Sequence, residues 1–369
     1  MRKDLCVLII AGTIQPPQGG RNLWALPASY ISRRTDGHPS IFFSFCLLLS
    51  SLAFLPLEYV SAHLLSCGSS HTCYIDSDGA LNCHGENSVY GQAPLKAVAQ
   101  EKFSQVSSGM FHTCAVVEDG MLRCWGKNDH EEAPFQKTRP DHPQSLYSRV
   151  SVGAGGHTCA LVKCNSDNSN CDSEGDIECW GSNFAGAAPG TITGKFESVS
   201  AGTYHTCGIT KEDDKNDNKI KCWGSNWFGQ APPLLEEGKY SQISSGFHHS
   251  CALYANGSVT CFGENNENQC DTDSVAGMSF VEVTASGYHS CALKSDLENV
   301  VCWGDNSFGQ APLANSTNGY TSVAAPPEHK FKSISGGATH TCAYMVDSNC
   351  PVDSNCFVDK KCWGWNVSE

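Results

Sequence analysis

One segment recurs seven times along this chain, and the recurrence limits the fold more than any other feature. Its clearest copy is residues 112–128, HTCAVVEDGMLRCWGKN. Apolar and β-branched residues flank Glu118-Asp119-Gly120, which predicts a β-hairpin with glycine where the turn needs positive φ. Counting inward from Cys114 and Cys124 pairs Val117 with Met121 and leaves a three-residue loop. The two cysteines then face each other across the ladder, close enough for a disulfide.

The copies start at His71-Thr72-Cys73, His112-Thr113-Cys114, His157-Thr158-Cys159, His205-Thr206-Cys207, His249-Ser250-Cys251, His289-Ser290-Cys291 and His340-Thr341-Cys342. Successive first cysteines are 41, 45, 48, 44, 40 and 51 residues apart. A second cysteine opens each C-[WFH]-G-x-N block, at Cys83, Cys124, Cys179, Cys222, Cys261, Cys302 and Cys362. Upstream, most copies carry an aromatic with a branched aliphatic three residues on, as in Phe103/Val106, Phe196/Val199 and Phe331/Ile334. Downstream stands G-Q-A-P, as at Gly91–Pro94, Gly229–Pro232 and Gly309–Pro312, or a relic of it.

A period of 40–50 residues holding several short strands and turn glycines reads as a β-propeller blade. Such a blade cannot bury its own faces, but blades packed radially cover one another. The expected fold is therefore all-β, a seven-bladed β-propeller with one intra-blade disulfide per blade. Seven pairs follow: Cys73/Cys83, Cys114/Cys124, Cys159/Cys179, Cys207/Cys222, Cys251/Cys261, Cys291/Cys302 and Cys342/Cys362. The hairpin tips of blades 3 and 7 hold an extra pair each, Cys164/Cys171 and Cys350/Cys356, while Cys67 and Cys270 are left unplaced. The last repeat ends without G-Q-A-P, so either the 62–68 segment completes blade 7 or the chain is cut short there.

Twenty-two cysteines in 369 residues, regularly spaced, point to an oxidising compartment. No C-x-x-C pair is present, which argues against structural metal sites. Residues 1–62 carry five Lys/Arg against three Asp/Glu, and the remainder 19 against 35. That acidity opposes binding to nucleic acid.

Residues 1–40 are read as a poorly structured extension and 63–369 as the propeller. Between them, Ile41–Leu57 is uncharged, preceded by Arg33-Arg34 and followed by Val60-Ser61-Ala62. This resembles a secretory signal cut after Ala62, with a single membrane-retained signal-anchor as the alternative. Sequons at Asn256, Asn315 and Asn366 are candidate glycosylation sites.

A histidine repeated in every blade serves the blade, and the C-[WFH]-G aromatics are read the same way. The acidic runs at 172–176 and 212–217 do not match a calcium loop. No G-x-S-x-G, H-E-x-x-H or phosphate-binding glycine loop occurs. No catalytic residue, cofactor or metal is expected, and the chain is read as no enzyme.

Aromatic-x-x-V-x-x-G-x-x-H-T-C-A-L followed by C-W-G-x-N-x-x-G-Q resembles the repeat of the regulator of chromosome condensation superfamily. That superfamily includes the bacterial beta-lactamase inhibitor protein II and the crinkly-type receptor ectodomains. The resemblance covers about residues 62–369, and the paired cysteines are closest in style to the extracellular members. It implies a secreted or cell-surface propeller that binds a protein through loops on one face. The long tips of blades 3, 4 and 7 (162–178, 211–221 and 345–361) are the expected specificity loops. Two alternatives carry over: a guanine-nucleotide exchange or chromatin-associated role, and inhibition of an extracellular hydrolase.

Overall fold

The computed structural model describes residues 64–365, except 88, 95–100, 135, 138–145, 165–174, 212–217, 237, 312–320, 327–328 and 349–356. By contacts the chain divides into Met1–Glu58 and Tyr59–Glu369; residues 1–63, with the expected extension and signal, lie outside the described residues.

The second unit holds seven antiparallel sheets, each of three or four strands joined in sequence order. The innermost strands are Leu65–Cys67, Phe103–Ser108, Leu146–Gly153, Phe196–Ala201, Tyr240–Ser245, Phe280–Ala285 and His329–Gly336. Each is followed by a second strand that opens on the repeated histidine and a third that contains C-[WFH]-G. Short outer strands complete blades 2, 3 and 6 at Gln136–Lys137, Thr191–Ile192 and Thr321–Ala324. The second strands are buried on both faces; His112–Val117 has no accessible position. Central strands of a blade look this way because neighbouring blades cover both sides.

The aromatic and the aliphatic three residues later are on opposite faces of a regular strand. A register shift after the aromatic resolves the conflict. Phe103 faces Val117 and Val106 faces Ala115, with the shift between Phe103 and Gln105. The same shift occurs in blades 3 to 7. One extra residue puts both apolar side chains on one face and adds local twist.

Segment 65–67 does not complete blade 7. It pairs with the second strand of blade 1, Leu65 opposite Tyr74 and Cys67 opposite Thr72, so the described part of the 62–68 segment belongs to blade 1. The innermost strands line one central channel. Its wall is sewn by a hydroxyl that follows the branched aliphatic in every repeat. The Oγ of Ser66, Ser107, Ser151, Ser200, Ser244, Thr284 or Ser335 accepts a backbone N–H from the next blade at 2.8–3.2 Å. The last of these links Ser335 to Cys67 N–H, so blade 7 meets blade 1 by the bond used at every other interface.

Candidate functional site

The repeated histidines make a second closed ring. Nε2 of His71, His112, His157, His205, His249, His289 and His340 lies 2.7–3.0 Å from the hydroxyl of Thr113, Thr158, Thr206, Ser250, Ser290, Thr341 and Thr72 in turn. Five of those hydroxyls donate to a carbonyl in the preceding blade's loop, as Thr158 does to Glu132 O and Ser250 to Gln230 O. A hydroxyl that donates there can only accept from Nε2–H, which fixes the neutral tautomer. Nδ1 has no partner in His71, His157, His205, His249, His289 and His340 among the described residues. Packing explains why: a Cβ added to Gly68 or Gly202 would stand 2.5 or 2.4 Å from the ring carbon Cε1 of His71 or His205. Burial pushes the ring pKa values down, to about 3 for His112, His205, His249 and His289 and about 4 for His71, His157 and His340. These histidines are uncharged mortar between blades.

One cluster has the composition of a metal site: Cys67, His340 and Cys342 offer atoms within 4.8 Å of one another. Cys342 is bonded to Cys362, and His340 is engaged by Thr72, so that donor set is closed. Burial drives the Cys67 thiol up to about 11.

The seven hairpin disulfides are formed, with Cα–Cα distances of 4.0–4.1 Å. Cys164 is disulfide-bonded; Cys171, Cys350 and Cys356 lie outside the described residues, as do Asn315 and Asn366. Asn256 is exposed at the blade 5 tip, its Oδ1 accepting from Ser258 N–H and Oγ–H. Cys67 and Cys270 are the free cysteines among the described residues. The C-W-G aromatics pack between blades as expected: Trp223, Trp303 and Trp363 each donate Nε1–H to a carbonyl of the preceding blade's loop.

Antiparallel succession sends the loops to two ends. Connections from first to second strand and from third to fourth emerge on one face; the hairpin tips emerge on the other. The described short tips are polar turns closed by Asp76, Asp119, Asn256 and Asp296. The long tips fall mainly on residues outside the described set: 165–174, 212–217 and 349–356.

The other face is unlike them. Of the exposed large hydrophobics among the described residues, Val89, Tyr90, Phe184, Trp227, Phe228, Tyr288, Phe308 and Trp365 all occupy its loops. Leu234 is the exception, beside the outer bridge of blade 4. The rings touch in series across blades 3 to 6: Phe184 with Trp227 and Tyr204, Tyr204 with His248, His248 with Phe228 and Tyr288, and Tyr288 with Phe247. Trp227 is 74% exposed.

The loops that carry these rings are tightly framed. In all seven blades the residue after C-[WFH]-G donates its N–H to the carbonyl just before the histidine, at 2.7–3.0 Å. Asn226 Oδ1 accepts Ala231 N–H, and Gln230 Oε1 accepts Phe228 N–H. Asn306 and Gln310 repeat this around Phe308. A buried glutamine and a more exposed asparagine thus hold the loop ends while the apolar rings between them stay in water. Sequence reading took G-Q-A-P only as a mark of the repeat and missed what the loop before it presents. The signal was available: the position before the G-Q glycine is Tyr90, Phe228 and Phe308, large and apolar where a turn needs nothing.

Comparison with known proteins came to three findings. The Regulator of chromosome condensation (RCC1) repeat matches residues 103–131, 240–269 and 280–310. The probable E3 ubiquitin-protein ligase HERC4 of Homo sapiens is 31% identical over 117 residues, 28% of this chain and 11% of that protein. The chain thus spans only a small part, 11–12%, of the curated human relatives it matches. Two solved structures share the fold. One is the CRINKLY WD40 ectodomain of the Arabidopsis thaliana receptor kinase ACR4, at 22% identity over 82% of this chain and 95% of that one, TM-score 0.58. The other is Prp20p of Saccharomyces cerevisiae, studied for its binding to Gsp1p and histones, at 18% identity over 77% and 82%, TM-score 0.61.

Proposed function

We propose that this RCC1-like repeat propeller is a protein-binding module of the cell exterior, and that it docks its partner on the aromatic loop face. The observation that carries the reading is the segregation of exposed apolar rings. A contiguous, water-exposed aromatic run is costly for a solitary soluble protein and marks an interaction surface. The frame of loop bonds from asparagine and buried glutamine means that little freedom is lost on association. Large aromatic anchors at the centre of a patch are also what dominates interface energetics.

Secretion is supported by the seven disulfides, which persist in oxidising compartments. Asn256 projects from the opposite end of its blade, so a glycan there leaves the aromatic loops uncovered. Whether the 41–62 segment is cleaved or anchors the chain does not alter the binding proposal.

The test is expression of the full chain in secretory cells, with the tagged protein recovered from the medium and cell surface. Partners captured by the wild type are compared with those captured by Trp227→Ala/Phe308→Ala and by the tip variant Glu118→Ala/Asp119→Ala. The expected result is loss of partners with the first variant alone. Retention by the aromatic variant, or a chain confined to the cell interior with reduced hairpin cysteines, overturns the reading.

A further inference from the structure

The same loops carry a charge pattern that says what kind of partner fits. Glu86, Asp129, Glu131, Glu264, Glu267, Asp271 and Asp305 all lie on the connections of this face. Among the described residues of these connections the one fixed cation is Lys127, and its ammonium is already matched by Asp129 at 3.4 Å. An aromatic run with carboxylates around it suits neither an acidic partner nor a phosphate-bearing one. Attraction to cations comes from two sources here: the negative faces of the rings and the carboxylates of Glu264, Glu267 and Asp271.

The face contains an internal example of the contact. Lys127 Nζ sits 5.8 Å from the centre of the Phe111 ring, held there within the loop frame of blade 2. Among the described residues, the loops of this face in blades 3 to 6 offer more exposed rings, Trp227 the largest, and carry no Lys or Arg. Trp227 is the strongest acceptor among them, since indole binds cations better than phenyl.

We propose that the aromatic loop face recognises a cationic segment of its partner protein, with arginine or lysine side chains laid over Trp227, Phe228 and Phe184 and steered by Glu264, Glu267 and Asp271. This rests on the docking reading above and adds the partner's chemistry to it. Charge steering sets the approach and the rings set the residence time, because rim charges act mainly on association and buried anchors on dissociation.

The experiment uses the full disulfide-bonded chain and three fluorescein-labelled peptides of alternating glycine with arginine, glutamate or glutamine. Binding is read by anisotropy and by quenching of tryptophan emission. The arginine peptide is expected to bind, and the other two are not. Its affinity should fall several-fold between about 0.05 and about 0.5 M salt. Trp227→Ala should weaken it about tenfold, the range for an interface anchor. Trp227→Leu, which keeps apolar bulk without the ring, should lose nearly as much as alanine. Glu267→Gln/Glu131→Gln should lose less and flatten the salt dependence. These positions are exposed, so unchanged thermal melts serve as the folding control.

Equal binding of the glutamine or glutamate peptide overturns the cationic reading, as does full affinity in Trp227→Leu. Quenching by a chito-oligosaccharide in place of the peptide also overturns it, in favour of sugar stacking. Failure of the arginine peptide, alongside Trp227-dependent capture of a partner, removes this inference and leaves the docking face standing. Partner capture indifferent to Trp227→Ala removes the docking reading itself.

Discussion

Seven histidine rings, one per blade interface, are held neutral by burial with Nε2 on a hydroxyl of the next blade, and five of them give that hydroxyl their Nε2–H. Protonating Nδ1 would place a charge beside glycine backbone with no acceptor. In the unfolded chain these rings titrate near 6.5, and in the fold they are held to about 3 or about 4. Between those values the unfolded chain binds protons that the fold excludes, so stability rises with pH there. It is fully present above about 6.5 and declines as pH falls toward about 4. Free carboxylates titrate lower, near about 4, which assigns the first part of the decline to histidine. The melting temperature at constant ionic strength should therefore be level above about pH 7 and drop steadily from about pH 6.5 to about 5. A flat profile across that range would mean that the rings are protonated in the fold or are not buried.

At the scale of the element, the hairpin was legible because its pattern is local: alternation, a turn glycine and two cysteines at matching depth. Cys114 pairs with Cys124 and Val116 with Leu122, the register counted from sequence. The inner strand was only half legible. Its aromatic and aliphatic three apart break the period of two, and only the register shift reconciles them. The hydroxyl after the aliphatic, as at Ser107 and Ser200, recurs seven times, but its partner is a backbone N–H in another blade. Sequence alone does not reveal a backbone partner. The aromatic loops were missed for a related reason: their sequence was noticed only as part of the repeat, and exposure of the ring between its framing bonds is a tertiary property. Closure of an eleven-residue loop by Cys114–Cys124 restrains the unfolded chain by roughly 2.8 kcal/mol. Cys114→Ala/Cys124→Ala should therefore lose about 2–3 kcal/mol in denaturant melts while still folding. No measurable loss would show that the interblade bonds, rather than the hairpin staple, carry the blade.

At the scale of the molecule, both rings of interblade bonds close between blades 7 and 1: Ser335 to Cys67 along the channel, and His340 to Thr72 between the sheets. Tyr344 adds a contact from its hydroxyl to Ile75 O. Seven equivalent interfaces fix the loops of one face in a common frame, and that frame presents the aromatic run. The repeats are scaffold, and what sets the described copies apart on this face is the side chain that each loop presents. Hydrogen exchange of the full chain, free and with its captured partner, tests this most directly. Protection is expected in the loops of 182–190, 225–234, 246–248 and 286–288, with the hairpin tips at 118–121 and 255–258 unchanged. Protection confined to the tips would contradict the account.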